Sequence, residues 1–445
     1  MGERISAGAL AAGGYRGETG LRYQPYWWEA APRDRQEEPV PKKCDVAIVG
    51  SGFTGLSAAN TLLDNGSGAV VFDRDFPGFG ASTRNGGQVG SGNQKFKVKT
   101  LIALRGEAKA AALIREGTQM LDHIEQVIAS EKIDCDFRRC GRFRAAIRPE
   151  HYEAMARDMD DLKKIAGVES FMVPRAEQRS EIGSDIFFGG SVLPRDASLH
   201  PGQYHSGLAQ RVKEKGGRIV GNAAVLEIVP EGKLFRVKTA RGETLARSVI
   251  IATNGYTNDL VPELRQRIVS IGSGLIATDD VDETILDRLL PKRRVYGNTN
   301  RVFYYFRVAP GARRIIWGGR VGRLAAESSP RAYSHLARDM LTVFPDLADV
   351  PITHAWSGLI GYTYDEIPHL GRTAAGLHYA IGYCGTGVSR ATYFGHKIAL
   401  QLLGRKDGRT AFDELTFPAY PAHPIAKRVV PVVETWYRLR DATNI

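Results

Sequence analysis

Short β-branched apolar runs alternate with helical patterns along this chain, and that alternation predicts an α/β protein. Asp45-Val46-Ala47-Ile48-Val49 has the make-up of a buried parallel strand. Apolar residues then recur at Leu56, Ala59, Leu62 and Leu63 with the period of a helix, and Ala69 to Phe72 supplies a second strand. Two more buried runs lie far downstream, Ser248 to Thr253 and Tyr379 to Ile381, the latter leading into a helical pattern over Ala391 to Leu403. Elsewhere the period is two. Arg142 to Ile147, Arg301 to Val308 and Arg314 to Val321 predict half-buried strands of an antiparallel sheet. In the second of these, alternation puts Phe303, Tyr305 and Arg307 on one face and Val302, Tyr304 and Phe306 on the other. No apolar run approaches the roughly 18 residues of a membrane span, so a soluble chain without stable membrane association is expected.

Composition narrows the class further. The chain has 445 residues, 43% hydrophobic and 24% charged, which excludes general disorder and leaves room for two or three domains. Its first forty residues lack the apolar core of a secretory signal. Four cysteines form no disulfide framework, and a cytoplasmic location is the expectation. Ile133, Cys135 and Phe137 alternate with Asp134 and Asp136 as in a strand, which would point Cys135 and Cys140 to opposite faces. The net charge is +11, yet the basic residues are scattered, with Pro291-Lys292-Arg293-Arg294 the densest run. That distribution fits a surface that draws in small anions rather than the stripe nucleic acid needs.

The sharpest signal follows the first strand. Gly50-Ser51-Gly52-Phe53-Thr54-Gly55 is a G-x-G-x-x-G placed between strand and helix, and Asp73 ends the next strand twenty-three residues after Gly50. Gly50 permits the tight turn, Gly52 lets the backbone approach a pyrophosphate, and Gly55 lets the helix pack on the sheet. The helix N-terminus offers N–H groups to phosphate, and Asp73 accepts from ribose hydroxyls. A second glycine-rich loop, residues 78–92, comes directly after the acid and implies a longer dinucleotide contact, so FAD is expected rather than a nicotinamide cofactor. Gly382-Tyr383-Cys384-Gly385-Thr386-Gly387-Val388 repeats the order strand, glycine turn, helix, and Thr253-Asn254-Gly255 ends another buried run. A disulfide reductase would need a second G-x-G-x-x-G, and none is present.

Together these segments resemble the D-amino-acid oxidase-like family of flavoproteins, in the branch with sarcosine, glycine and γ-glutamylputrescine oxidases. The aromatic Tyr26-Trp27-Trp28 resembles the last of these. The resemblance implies a glutathione-reductase-type FAD-binding Rossmann domain with an inserted α+β substrate domain built on an antiparallel sheet. Residues 40–97, 197–258 and 352–412 are assigned to FAD and 98–196 with 259–351 to substrate, between an extension (1–39) and a tail (413–445). The cofactor set it implies is Gly50, Gly52, Phe53, Thr54, Gly55, Asp73 and Arg74; Ala81, Ser82, Arg84, Asn85, Gly86, Gly87 and Gln88; Val225, Thr253 and Asn254; and Gly382, Gly385, Thr386, Gly387 and Val388. Some relatives tether flavin through a cysteine, but Gly358 falls at that position here, so non-covalent FAD is expected. Relatives that activate oxygen with a lysine carry it where this chain has Ile316.

The implied reaction is oxidation of a C–N bond by hydride transfer to flavin N5, with hydrolysis of the imine to a carbonyl compound and an amine, and reoxidation by dioxygen to hydrogen peroxide. Catalysis is then largely positioning, and no metal site is expected. A small anionic amine needs cations, and Arg307 and Arg320, with Tyr305, are the candidates on the predicted sheet. His200-Pro201 reads as a helix start with His200 as its cap, His369 as a structural residue near the site, and Trp27 and Trp28 as a clasp. Alternatives are an amine dehydrogenase serving a quinone or electron-transfer protein, and a non-catalytic flavin-holding or RNA-associated protein.

Overall fold

The computed structural model describes residues 4–13, 20–31, 38–92, 96–320, 329–420 and 436. Val321, most of the tail from 421, and parts of the 1–39 extension lie outside the described residues. Two sheets organise the chain. The first has eight strands, with Lys43–Val49 paired in parallel to Ala69–Phe72 on one side and to Gly242–Ile251 on the other. Arg218–Val220 extends it past Ala69–Phe72, and His378–Ile381 also runs parallel to Gly242–Ile251. Ala69–Phe72 and the C-terminal ends of its neighbours, Val46 to Val49 and Val249 to Ile251, are apolar and buried because both faces are covered there. The helix Phe53–Asp64 is buried from Phe53 through Leu62, since it sits among the sheet, Pro201–Glu214 and Gly387–Leu402.

The second sheet has nine strands and is mostly antiparallel. From edge to edge it runs Ile5–Ser6, Pro351–Tyr362, Val269–Thr278, Ile315–Arg320, Tyr305–Val308, Val295–Asn298, Arg142–Ala145, Gly190–Leu193 and Phe171–Val173. One face packs on a cluster holding Phe143, Tyr296, Phe306 and Trp317, where Phe306 and Trp317 stack at 4.3 Å. The other face meets the first sheet's glycine loops.

Several sequence expectations shift. The assignment of 352–412 to the FAD side starts too early, because Pro351–Tyr362 pairs over ten residues with Val269–Thr278 in the second sheet. That strand is as apolar as a Rossmann strand, so composition alone did not separate them. The extension is not separate either, since Ile5–Ser6 adds an edge strand to the same sheet and Ala7–Ala12 packs on Ser334–Val343. Arg301–Tyr304 does not join the ladder, and the strand there is Tyr305–Val308. Residues 133–137 are irregular rather than a strand, with Asp136 at φ +50°, and the four cysteines are free. The two arginines of the run Lys292-Arg293-Arg294 are spent on ion pairs: Arg293 with Glu283 and Asp287, Arg294 with the buried Glu181 at 2.6 Å. Among the described residues, no helix is long and apolar enough to cross a membrane.

Candidate active site

Between the two sheets lies a cavity of about 850 Å³ lined from both sides. Its first wall begins where Lys43–Val49 ends. Gly50 takes φ +105°, and an added Cβ would stand 2.9 Å from the Ala252 carbonyl, so the turn admits no side chain. The helix that follows has no side-chain cap at Gly52, which leaves its first N–H groups facing the cavity except for Phe53 N, donated to Ser82 Oγ at 2.9 Å. Asp73 closes the turn, accepting from Ser51 N at 2.8 Å and Ser51 Oγ at 2.5 Å. Burial raises its pKa, and the Ser51 bonds pull it back.

The loop after the acid is held from behind. Trp27 Nε1 donates to Asn85 O at 2.8 Å and Trp28 Nε1 to Thr83 Oγ1 at 2.9 Å, so the expected clasp is a clasp on this loop. Arg84, buried, donates to Phe79 O and Ser357 O and lies over the Phe79 ring at 4.4 Å. It ties the loop to Pro351–Tyr362. At the third glycine cluster, Asn254 Oδ1 accepts from Gly382 N at 2.9 Å, and the helix Gly387–Leu402 starts at Thr386 without a side-chain cap. A second helix N-terminus therefore meets the same cavity.

The opposite wall is the nine-stranded sheet. Tyr305 is registered against Gly318, and its ring lies so close that a Cβ there would fall 2.4 Å from Tyr305 Cζ. Its hydroxyl is 3.1 Å from Ser273 Oγ, and burial pushes its pKa up to about 12, so it remains a neutral phenol at working pH. Arg320 projects at the strand end with its guanidinium 5.8 Å from the Tyr362 ring centre. Arg142 lines the same wall, paired with Asp196 at 2.6 Å and bonded to Gln88 Oε1 at 2.8 Å.

Most of the expected residues thus share one cavity, including Arg74, Val225, Thr253, Tyr305 and Arg320. Four stand behind its surface. Gly55 lies under the turn, where a Cβ would sit 1.9 Å from Gly50 O. Gly382 hands its N–H to Asn254. Gly87 turns its carbonyl away to Arg307. Arg307 itself is buried, with Nη1 donating to Gly87 O at 2.8 Å and Leu199 O at 2.9 Å. The alternation correctly placed Arg307 on Tyr305's face, but that face meets backbone carbonyls there, and Arg307 does not reach the cavity. His200 caps Pro201–Glu214 through Nδ1, accepting from Gln203 N at 3.1 Å. His369 is buried against Phe417 and bonds Asp365. Gly358 lines the cavity and presents no sulfur, and Ile316 packs with Trp27 and Trp356 instead. Sequence reasoning missed Ser273, Arg142, Arg144 and Tyr362. The Arg-x-Arg spacing on a predicted strand was the available signal for the arginine pair.

Two helix N-termini without side-chain caps, a turn that admits no side chain and an acid at the strand end would hold the phosphates and ribose of a dinucleotide, and the second glycine loop lines the same cavity. The residues present therefore fit FAD. The chain belongs to the family described as DAO, FAD dependent oxidoreductase, whose model matches residues 45–401. It is 30% identical over 421 residues to γ-glutamylputrescine oxidoreductase of Escherichia coli, covering 93% of this chain and 96% of that one. It is 28% identical to a probable oxidoreductase OrdL of Haemophilus influenzae, over 93% and 95% of the two chains. In fold it resembles glycine oxidase from Geobacillus kaustophilus (TM-score 0.71, 19% identity, 85% of this chain and 99% of that one). Iminodiacetate oxidase from Chelativorans sp. BNC1 is similar too (TM-score 0.66, 16% identity, 84% and 98%).

Proposed function

We propose that this protein oxidises the C–N bond of a small carboxylate-bearing secondary amine or amino acid and passes the electrons to dioxygen, giving hydrogen peroxide. The supporting observation is that one cavity joins the dinucleotide cradle to a wall carrying Tyr305 and Arg320. When bound, FAD supplies the two-electron acceptor. The chain's own residues aim the reactant: Arg320 offers a forked cation to a carboxylate, and the Tyr305–Ser273 pair holds a neutral hydroxyl beside it. Among the described residues the partners of Tyr305, Ser273 and Phe303, include no strong base, so the amine is taken to arrive unprotonated. The relatives named for γ-glutamylputrescine, glycine and iminodiacetate, all carboxylate-bearing amines, favour the same substrate class.

Anaerobic mixing of the yellow holoprotein with an amino- and imino-acid panel tests this directly. Bleaching of the visible flavin band by at least one acidic amine is expected, and a band that no member bleaches rejects the proposal. A second reading, a dehydrogenase serving a quinone or electron-transfer protein, is favoured by one observation: no lysine lines the cavity among the described residues. Faster reoxidation of the reduced flavin by an artificial dye than by dioxygen would select it.

A further inference from the structure

Two arginines stand two residues apart on the strand Arg142–Ala145, on the same face, and are differently served. Arg142 is fully engaged by Asp196 and Gln88. Arg144 also lines the cavity, but no carboxylate reaches ion-pair distance of it among the described residues. The bond recorded for it is long, Nε to Asn298 O at 3.4 Å. Asp158, whose charge does act on Arg144, is occupied by Val98 N at 3.0 Å. Burial lowers the pKa of Arg144, with Arg142 adding to the effect, yet a guanidinium stays charged. Drawing such a cation away from bulk water with only that long bond to a carbonyl and no carboxylate beside it is unfavourable. A ligand in the cavity can complete it.

The sheet register shows how a ligand would reach it. Arg144 is opposite Gly297, Gly297 opposite Tyr305, and Tyr305 opposite Gly318. The Tyr305 ring leans over Gly318 and bonds Ser273, away from Arg144. Over Gly297 the space is open, for an added Cβ would meet only Tyr304 O, at 3.8 Å. A trough floored by Gly297 therefore runs from Tyr305 to Arg144. Arg320 lies on the other side of Tyr305, three strand spacings or about 14 Å across the sheet from the strand of Arg144.

Resting on the amine-oxidising reading of this cavity, we propose that Arg144 is a second carboxylate anchor and that the substrate is an amine bearing two acidic groups. One acidic group is directed to Arg320 and the other along the Gly297 trough to Arg144. An amine with a single carboxylate satisfies one anchor and leaves the other uncompensated, so the discrimination falls on binding rather than on the limiting rate of reduction.

The first test uses the oxidised holoenzyme and needs no turnover. Succinate, glutarate and adipate are titrated against butyrate, valerate and hexanoate, with the visible flavin spectrum as readout. The best dicarboxylate is expected to bind at least about tenfold more tightly than its monocarboxylate partner, the value of one charge-assisted pair. Arg144→Met should abolish that preference, and Arg144→Lys should restore part of it. Gly297→Leu, which fills the trough and keeps the guanidinium, should abolish it as well and decides the matter if Arg144→Met fails to retain flavin. Equal affinities at every chain length, no dicarboxylate binding, or a preference that survives Gly297→Leu overturns the proposal. In anaerobic reduction, Arg144→Met should raise Kd about tenfold or more for two-carboxylate amines alone, with the limiting rate unchanged. If no amine bleaches the flavin, the amine-oxidising reading falls, while the dicarboxylate titration still judges Arg144 separately.

Discussion

Arg307 and Arg320 looked equivalent in the sequence, each following aromatic residues on a predicted strand. What separates them is what each guanidinium meets. Arg307 finds the carbonyls of Gly87 and Leu199 and serves as a strut under the flavin loop. Arg320 pairs with no carboxylate among the described residues and rests on the Tyr362 ring. Opposite kinetic signatures follow. Arg320→Ala should raise KM for an acidic amine about 10- to 150-fold with kcat little changed, since a charge-assisted bond is worth roughly 1.5–3 kcal/mol. Arg307→Ala should instead lower the thermal midpoint and the flavin content of the purified protein, because it takes the donor from Leu199 O and leaves Gly87 O with Leu199 N alone. Steady-state kinetics on whichever amine bleaches the flavin, with an absorbance ratio for bound cofactor, checks both. An unchanged KM in Arg320→Ala would remove that residue from the site.

At the scale of elements, legibility followed how local the constraint is. The unit Lys43–Val49, Phe53–Asp64, Ala69–Phe72 was readable because strand, turn, helix and acid lie within about thirty residues and each needs a particular residue type. The strand Pro351–Tyr362 was assigned to the wrong sheet because its partner, Val269–Thr278, is some eighty residues away and nothing local distinguishes the two kinds of buried strand. Tyr26–Trp28 was legible as a clasp but not as to what it clasps, since Asn85 and Thr83 are more than fifty residues on. That short turn gives a prediction of its own. Trp27→Phe keeps the ring contacts with His200 and Trp356 but leaves Asn85 O without its donor, a cost of roughly 1–3 kcal/mol. Because Asn85 Nδ2 and Oδ1 brace Ala81, Ser82 and Gly87, the loss should appear as FAD affinity, weakened about 5- to 150-fold. Titrating the apoprotein with FAD by fluorescence quenching measures it, and wild-type affinity would show that the loop holds itself.

The two sheets and their helices enclose several imidazoles as neutral rings, and this couples the stability of the whole molecule to pH. Burial depresses His200, His205 and His378 to about 4 and His123 and His354 to about 3. In the unfolded chain each returns to near 6.5. Above that value neither state binds a proton and the histidines are neutral to stability. Below it the unfolded chain takes up protons that the folded one refuses, so stability is present above about pH 6.5 and is lost as pH falls toward 4 and then 3. At pH 5 each such ring costs up to about 2 kcal/mol, being 1.5 units below its unfolded value. The carboxyls of Asp73, Glu116 and Asp158, raised by burial, act in the opposite direction over part of the same range, but burial lowers His396 as well, so they are three against six. Two of the histidines brace the cofactor side directly: His205 Nε2 lies 2.7 Å from the Ser51 carbonyl in the glycine turn, and His200 caps the helix beneath it. Protonating His200 at Nδ1 would remove the acceptor for Gln203 N. The thermal midpoint of the holoprotein should therefore fall steadily between pH 7 and pH 5, with flavin release tracking unfolding at each pH. Calorimetry beside flavin fluorescence at half-unit steps would show it, and a midpoint that stays level over that interval would mean that these rings are hydrated or protonated in the native state.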